Sequence, residues 1–134
     1  MPVGIALATV QRESSFNPNA ANKHKNGTTD YGLMGLNSTN LKHGVKLIGA
    51  NGKPFAVNGN RARTDWKYNV VVGMSILKGS YTFARAHAGG DVAAATYARY
   101  DAGGAWGTLR QARHTGLSER ASVHEDLRCL GGGP

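Results

Sequence analysis

Two acidic side chains, Glu13 and Asp30, stand in contrasting surroundings. Glu13 closes the segment Val3-Gly4-Ile5-Ala6-Leu7-Ala8-Thr9-Val10-Gln11-Arg12, whose apolar neighbours favour a protonated carboxyl group. Asp30 follows the polar loop Asn26-Gly27-Thr28-Thr29, which favours an ionised one. Carboxyl groups pushed towards opposite protonation states suit the cleavage of a glycosidic bond, where one protonates the leaving oxygen and the other faces the cationic sugar centre. Asp30 also has a plainer reading, because an Asp in a Thr-Thr-Asp-Tyr-Gly turn can simply accept hydrogen bonds from backbone amides.

The elements that must position these acids are mostly helical. Val3, Ala6, Val10 and Glu13 recur at helical spacing, so the first helix is expected to direct Glu13 to the side of its apolar stripe. That helix should end near Phe16, since Pro18 disfavours a helical Asn17. Residues 19–30 read as polar and turn-rich, with Asn26-Gly27 a strong turn signal. Residues 49–60, where Asn51-Gly52 and Asn58-Gly59 flank Lys53-Pro54-Phe55-Ala56-Val57, read as a small hairpin or an irregular loop.

From Trp66 the pattern is helical again. Val72, Ile76, Gly79 and Phe83 form one stripe and Val70, Met74, Leu77, Tyr81 and Ala84 another, which predicts a central helix buried around much of its circumference. Gly89-Gly90-Asp91 offers a break and an N-cap for the Ala-rich stretch from Val92 to Tyr100, and Asp101-Ala102-Gly103-Gly104 ends it. A short helix after Trp106 and a last one after Ser118, with Val123, Leu127 and Leu130 in register, complete the expected plan.

Composition narrows the function classes. The chain has 134 residues, enough for one core but not for two, and a formal net charge of +8 that draws it to polyanions. The basic residues are dispersed singly rather than in runs, which argues against a nucleic-acid tail or a localisation signal. Cys129 is the single cysteine, so no intramolecular disulfide can form, and it reads as an inert helical residue. No apolar run reaches the roughly 18 residues of a membrane span. The opening apolar stretch lacks a basic leader and runs unbroken into Glu13, so it reads as mature structure rather than a signal peptide.

Histidines 24, 43, 87, 114 and 124 form no His-x-x-x-His pair and read as surface residues, so no metal is expected. Gly52-Lys53 is followed by Pro54, so there is no P-loop, and nothing else in the chain supports nucleotide binding. Trp66 and Trp106 have two readings, as packing anchors or as platforms for sugar rings.

The stretch Val10-Gln11-Arg12-Glu13-Ser14-Ser15-Phe16-Asn17-Pro18-Asn19-Ala20 resembles the catalytic motif of the SLT-type lytic transglycosylases, and Tyr31-Gly32-Leu33-Met34 resembles their second motif. Asn69-Val70 through Gly73 and Ile76-Leu77 is similar to the third, and Tyr100-Asp101-Ala102-Gly103 to the fourth, normally Tyr-Asn-Ala-Gly. The resemblance runs from residue 3 to about 104. A second likeness overlies it: Thr29-Asp30-Tyr31-Gly32-Leu33-Met34-Gly35-Leu36-Asn37-Ser38 is similar to the segment of animal lysozymes that carries their second catalytic carboxylate. Typical SLT-type enzymes lack an acid at the position of Asp30. Gly35 stands where both families usually carry Gln, and Asp101 replaces the usual Asn.

The resemblance implies an α+β, mainly α, lysozyme-like fold, with a small loop or β-hairpin lobe beside a helical lobe. Together with the chain length and the Gly131-Gly132-Gly133-Pro134 end, it leads to the expectation of a single catalytic domain over residues 1–130 and a flexible tail at 131–134. It gives Glu13 the role of general acid on peptidoglycan, Ser14 a supporting role beside it, and Tyr100 a hydrogen bond that orients the glutamate. Tyr31, Met34 and Asn37 fall among the substrate-binding positions. No cofactor and no metal are implied. The partner is the glycan strand of the bacterial cell wall, reached in the periplasm or outside the cell, with no nucleic acid and no stable membrane insertion. The chain would act as a monomer or as a domain of a larger protein or assembly.

Two mechanisms follow from the same acid. In a lytic transglycosylase the product is a 1,6-anhydromuramoyl sugar; in a hydrolytic lysozyme Asp30 joins Glu13 and water completes the reaction. The transglycosylase is the expected activity. A non-catalytic cell-wall-binding module and a cationic membrane-disrupting protein are the alternatives from other classes.

Overall fold

Pro18 stops the first helix where the sequence predicts, within two residues. In the computed structural model, which describes residues 1–102, α1 runs Val3–Ser14 and the chain turns out of it through Ser15 and Phe16, both left-handed at φ 50° and 62°. The buried face of α1 differs from the expected stripe. Ile5, Ala8 and Thr9 are buried, whereas Val3 is 73% exposed. Thr9 can be buried because its hydroxyl donates to Ile5 O at 2.8 Å, so no polar group is stranded. Glu13 follows Thr9 by one i, i+4 step and so stays on the flank of the buried face.

The segment from 19 to 30 holds more than turns. β1 (Ala21–Lys23), β2 (Thr29–Tyr31) and β3 (Leu36–Asn37) form an antiparallel sheet in that order, and Asn26-Gly27 lies in the connection between the first two. A 3-10 turn, Ser38–Leu41, follows directly. β4 (Lys46–Ile48) and β5 (Pro54–Ala56) then pair as a hairpin around Asn51-Gly52, which decides between the two readings of that segment. Asn58 is not a second turn. Its side chain accepts the Arg61 N–H and caps the short helix α2 (Gly59–Thr64).

Asp65 joins α2 to α3 (Trp66–His87). Its Oδ1 accepts from the N–H groups of Lys67 and Tyr68 at 3.0 and 3.3 Å, and its Oδ2 pairs with Arg61 Nε at 3.3 Å. The Tyr68 amide is the largest influence holding the Asp65 carboxyl below its ordinary 3.8; partial desolvation opposes it, and Arg61 and Lys67 add to the lowering. A depressed carboxylate contributes stability above its unfolded value that is lost as pH falls through its folded value. The expected result is an acid limb in thermal melts below pH 3.8 that Asp65→Ala flattens, with a lower Tm for that variant at neutral pH. The effect is small because the pair is solvent-exposed.

α3 is one-faced rather than buried all round. Asn69, Val72, Leu77, Ser80 and Ala84 are buried, while Val71 is 54% exposed and Gly79, expected in an apolar stripe, faces solvent. The buried face carries polar residues, so apolar type alone misplaces it. Trp66 is 52% exposed, which overturns its reading as a packing anchor; the Lys67 ammonium lies over its ring.

α4 (Val92–Asp101) begins as expected, with Asp91 accepting the Ala94 N–H at 3.0 Å. Tyr97 packs with Ala8 and Ala93. The described chain forms two compact units, one from Met1–Arg12 with the segment that starts at Ile76, the other Glu13–Ser75. The architecture is α+β and mainly helical, with small antiparallel sheets, as expected. The helices expected after Trp106 and Ser118, Trp106, Cys129, His114, His124 and the tail at 131–134 lie outside the described residues.

Candidate active site

Glu13 sits half-buried in the last turn of α1, and the segment Leu33–Gly35 is built against it. The reversal behind it is tight: Asn17 N–H donates to Ser14 O at 2.9 Å, and Asn17 Oδ1 accepts the Asn19 N–H at 2.9 Å. Two consecutive left-handed residues without glycine are uncommon, and here they turn the chain away directly after the acid. Ser14 Oγ donates to Leu33 O at 2.9 Å, so the end of the helix is tied to the loop after β2.

Asn69 holds that loop from the other side. It is 1% exposed, its Oδ1 accepts the Met34 N–H at 3.0 Å, and its Nδ2 donates to Tyr31 O at 2.9 Å and to Ala62 O at 3.0 Å. Gly32 is left-handed at φ 75°, and a Cβ there would fall on the Asn69 amide. Met34 is completely buried, and a Cβ on Gly73 would strike its side chain. Both glycines are thus required by close approach, one to the clamp and one to the methionine it fixes.

Asp30 occupies the central strand β2, with Asn22 and Asn37 as its cross-strand neighbours. His24 Nε2 lies 2.6 Å from Asp30 Oδ2, and Asn37 Nδ2 donates to Asp30 Oδ1 at 2.8 Å. Both carboxylate oxygens are therefore engaged inside the sheet region. Asn37 is equally committed: Nδ2 also donates to Thr28 Oγ1, and Oδ1 accepts from the Thr39 N–H and hydroxyl at 3.0 and 2.8 Å. Tyr31 is half-buried beneath the Arg63 guanidinium, 5.1 Å from its ring centroid.

The unit Glu13–Ser75 thus contains Glu13, Ser14, Asp30, Tyr31, Met34 and Asn37. Tyr100 belongs to the other unit, where it is 7% exposed in the last turn of α4, with Asp101 exposed after it. Two contacts near these residues carry no local signal in the sequence. His24 is exposed, as its reading as a surface residue expects, but only strand pairing brings it to Asp30. Asn69 is visible as a motif position, but its three hydrogen bonds span 35, 38 and 7 residues and carry no local signal.

Such a site can hold one acid rigidly against a backbone loop and keep a second in a hydrogen-bonded network. Among the described residues no cluster of three or more His, Cys, Asp or Glu could hold a metal ion, and no helix is long and apolar enough to cross a membrane. The profile of one family, described as the transglycosylase SLT domain, matches residues 1–118. No curated protein and no solved structure matches the chain.

Proposed function

The chain belongs to the transglycosylase SLT family, and from that membership we propose that it cuts the β-1,4 bond between N-acetylmuramic acid and N-acetylglucosamine with Glu13 alone as acid and base. At the family level the activity is that of a peptidoglycan lytic transglycosylase, an enzyme of the cell wall. Glu13, protonated, gives its proton to the glycosidic oxygen as the bond breaks. The 2-acetamido group of the muramoyl sugar attends the developing positive charge. The ionised Glu13 then takes the proton of the muramoyl 6-hydroxyl, whose oxygen closes on C1. The product is a 1,6-anhydromuramoyl end, and no water is consumed.

Membership of the transglycosylase family favours this route over hydrolysis through Asp30, and leaves Asp30 free for a structural part. Both oxygens of Asp30 are already engaged, by His24 and by Asn37. A carboxylate held in this way serves the sheet: it joins β2 to β3 and fixes the residue that follows β1. Asn37 caps the 3-10 turn, and Ser14 and Met34 hold the loop behind Glu13, so these residues act through the backbone they position. Tyr31 presents its ring and Arg63 to the substrate. The exposed lysines at 23, 25, 42, 46 and 53 supply the attraction that brings the enzyme to an anionic wall outside the cytoplasm.

Asp30→Asn tests the assignment. Removing a group that stabilises the transition state electrostatically costs about 10²–10³-fold in kcat. The expected result is turnover of purified murein within about tenfold of the parent, below the range for such a group. A loss in the full range, with the fold intact by circular dichroism, would assign Asp30 a direct part and favour the lysozyme.

A further inference from the structure

Gly35 stands where Gln is usual, and its surroundings account for the exchange. Its backbone is left-handed at φ 57°, and its N–H donates to Gly32 O at 3.1 Å, closing the turn. A Cβ built on Gly35 would collide with Glu13 Oε2, and would lie 3.0 Å from Glu13 Cβ and 3.1 Å from Cδ. The place of a Cβ at position 35 is therefore taken by the end of the Glu13 side chain, which would have to shift to admit one. The backbone beside the acid is fixed in turn by Ser14 Oγ on Leu33 O and by Asn69 Oδ1 on the Met34 N–H.

We propose that Gly35 is a positioning residue for Glu13: the missing side chain lets the glutamate carboxyl group lie close against Gly35, and this approach sets its orientation for proton delivery. The proposal rests on Glu13 being the acid. It adds that a side chain at this position would displace the carboxyl group from the place it occupies here. The glycine therefore helps to orient the acid.

The test compares Gly35→Ala and Gly35→Gln with Gly44→Ala, measuring kcat and KM on murein together with thermal melts. Gly44 is also left-handed, at φ 89°, but a Cβ there would meet nothing within 4 Å, so it reports backbone strain alone. A displacement of about 1 Å in a reacting group can cost about 10²-fold. For both Gly35 variants kcat should fall by roughly that factor with KM within about twofold. Gly44→Ala should lose stability and leave kcat unchanged.

Where Gly35→Ala melts too low to assay, the same substitution in a Glu13→Ala background decides. With the carboxyl group removed, the alanine should lower Tm no more than Gly44→Ala does. An equal loss in both backgrounds overturns the proposal, as does a Gly35→Ala or Gly35→Gln enzyme with unchanged kcat. Undiminished turnover by Glu13→Gln would instead remove the reading on which the proposal rests.

Discussion

Glu13→Gln is expected to lower murein turnover by about 10²–10⁴-fold, the range that a positioned general acid–base supplies. The amide is nearly isosteric with the acid and can keep the packing against Gly35, so the fold and the affinity for murein should be unchanged. What is lost is the proton, needed first on the glycosidic oxygen and then back from the 6-hydroxyl. Both halves of the reaction depend on the same atom pair, so no other carboxyl group substitutes for it. Release of soluble muropeptides, measured beside a pull-down on insoluble murein, separates the two properties. A silent binding module would bind and release nothing in either form. A membrane-disrupting protein would lyse cells equally well with the glutamine.

Asn69→Ala is expected to be the most damaging change away from the acid. It removes one acceptor and one amide that donates twice, leaving the Met34 N–H and the Tyr31 and Ala62 carbonyls without the Asn69 side chain. Each buried backbone group left unsatisfied costs roughly 1–3 kcal/mol, so the total for three is on the order of 3–9 kcal/mol if no water enters. That is a large part of the stability of a domain this size, about 5–15 kcal/mol. Urea unfolding should show the midpoint fall by the corresponding amount. The Leu33–Gly35 loop would loosen with it, so activity should drop even at temperatures where the variant stays folded. Asn69→Asp keeps the acceptor but loses the donor and buries a charge, and it should not rescue.

The helical part of this architecture is legible in the sequence because its signals are local. Pro18 sets the end of α1, and Asp91 behind two glycines sets the start of α4. The three-stranded sheet is not legible. Its strands have only three, three and two residues, and β1 is exposed along its whole length, so there is no alternation to detect. α2 is hidden for a different reason. Asn58-Gly59 serves equally well as a turn or as a helix cap, and only the structure shows Asn58 accepting from Arg61.

The site divides along the same line. Glu13 and its neighbours are readable as a motif, because chemistry requires those residue types next to one another. The supports behind them come from distant segments: Asn69 from α3, His24 from beyond β1 and Leu33 from the loop after β2. The buried face of α1 also escapes the sequence, since Thr9 counts as polar until its hydroxyl is seen to bond Ile5 O. Asp30 is conspicuous as a second acid, but its partners His24 and Asn37 are brought to it only by strand pairing.

The central claim is that Glu13 works without water, and the product states the answer. Purified murein digested by the intact chain, with the soluble muropeptides analysed by mass spectrometry, should yield 1,6-anhydromuramoyl ends, one water lighter than hydrolytic products and resistant to borohydride reduction. Reducing muramoyl ends in their place, formed with uptake of solvent oxygen in labelled water, would contradict the account and return Asp30 to the reaction.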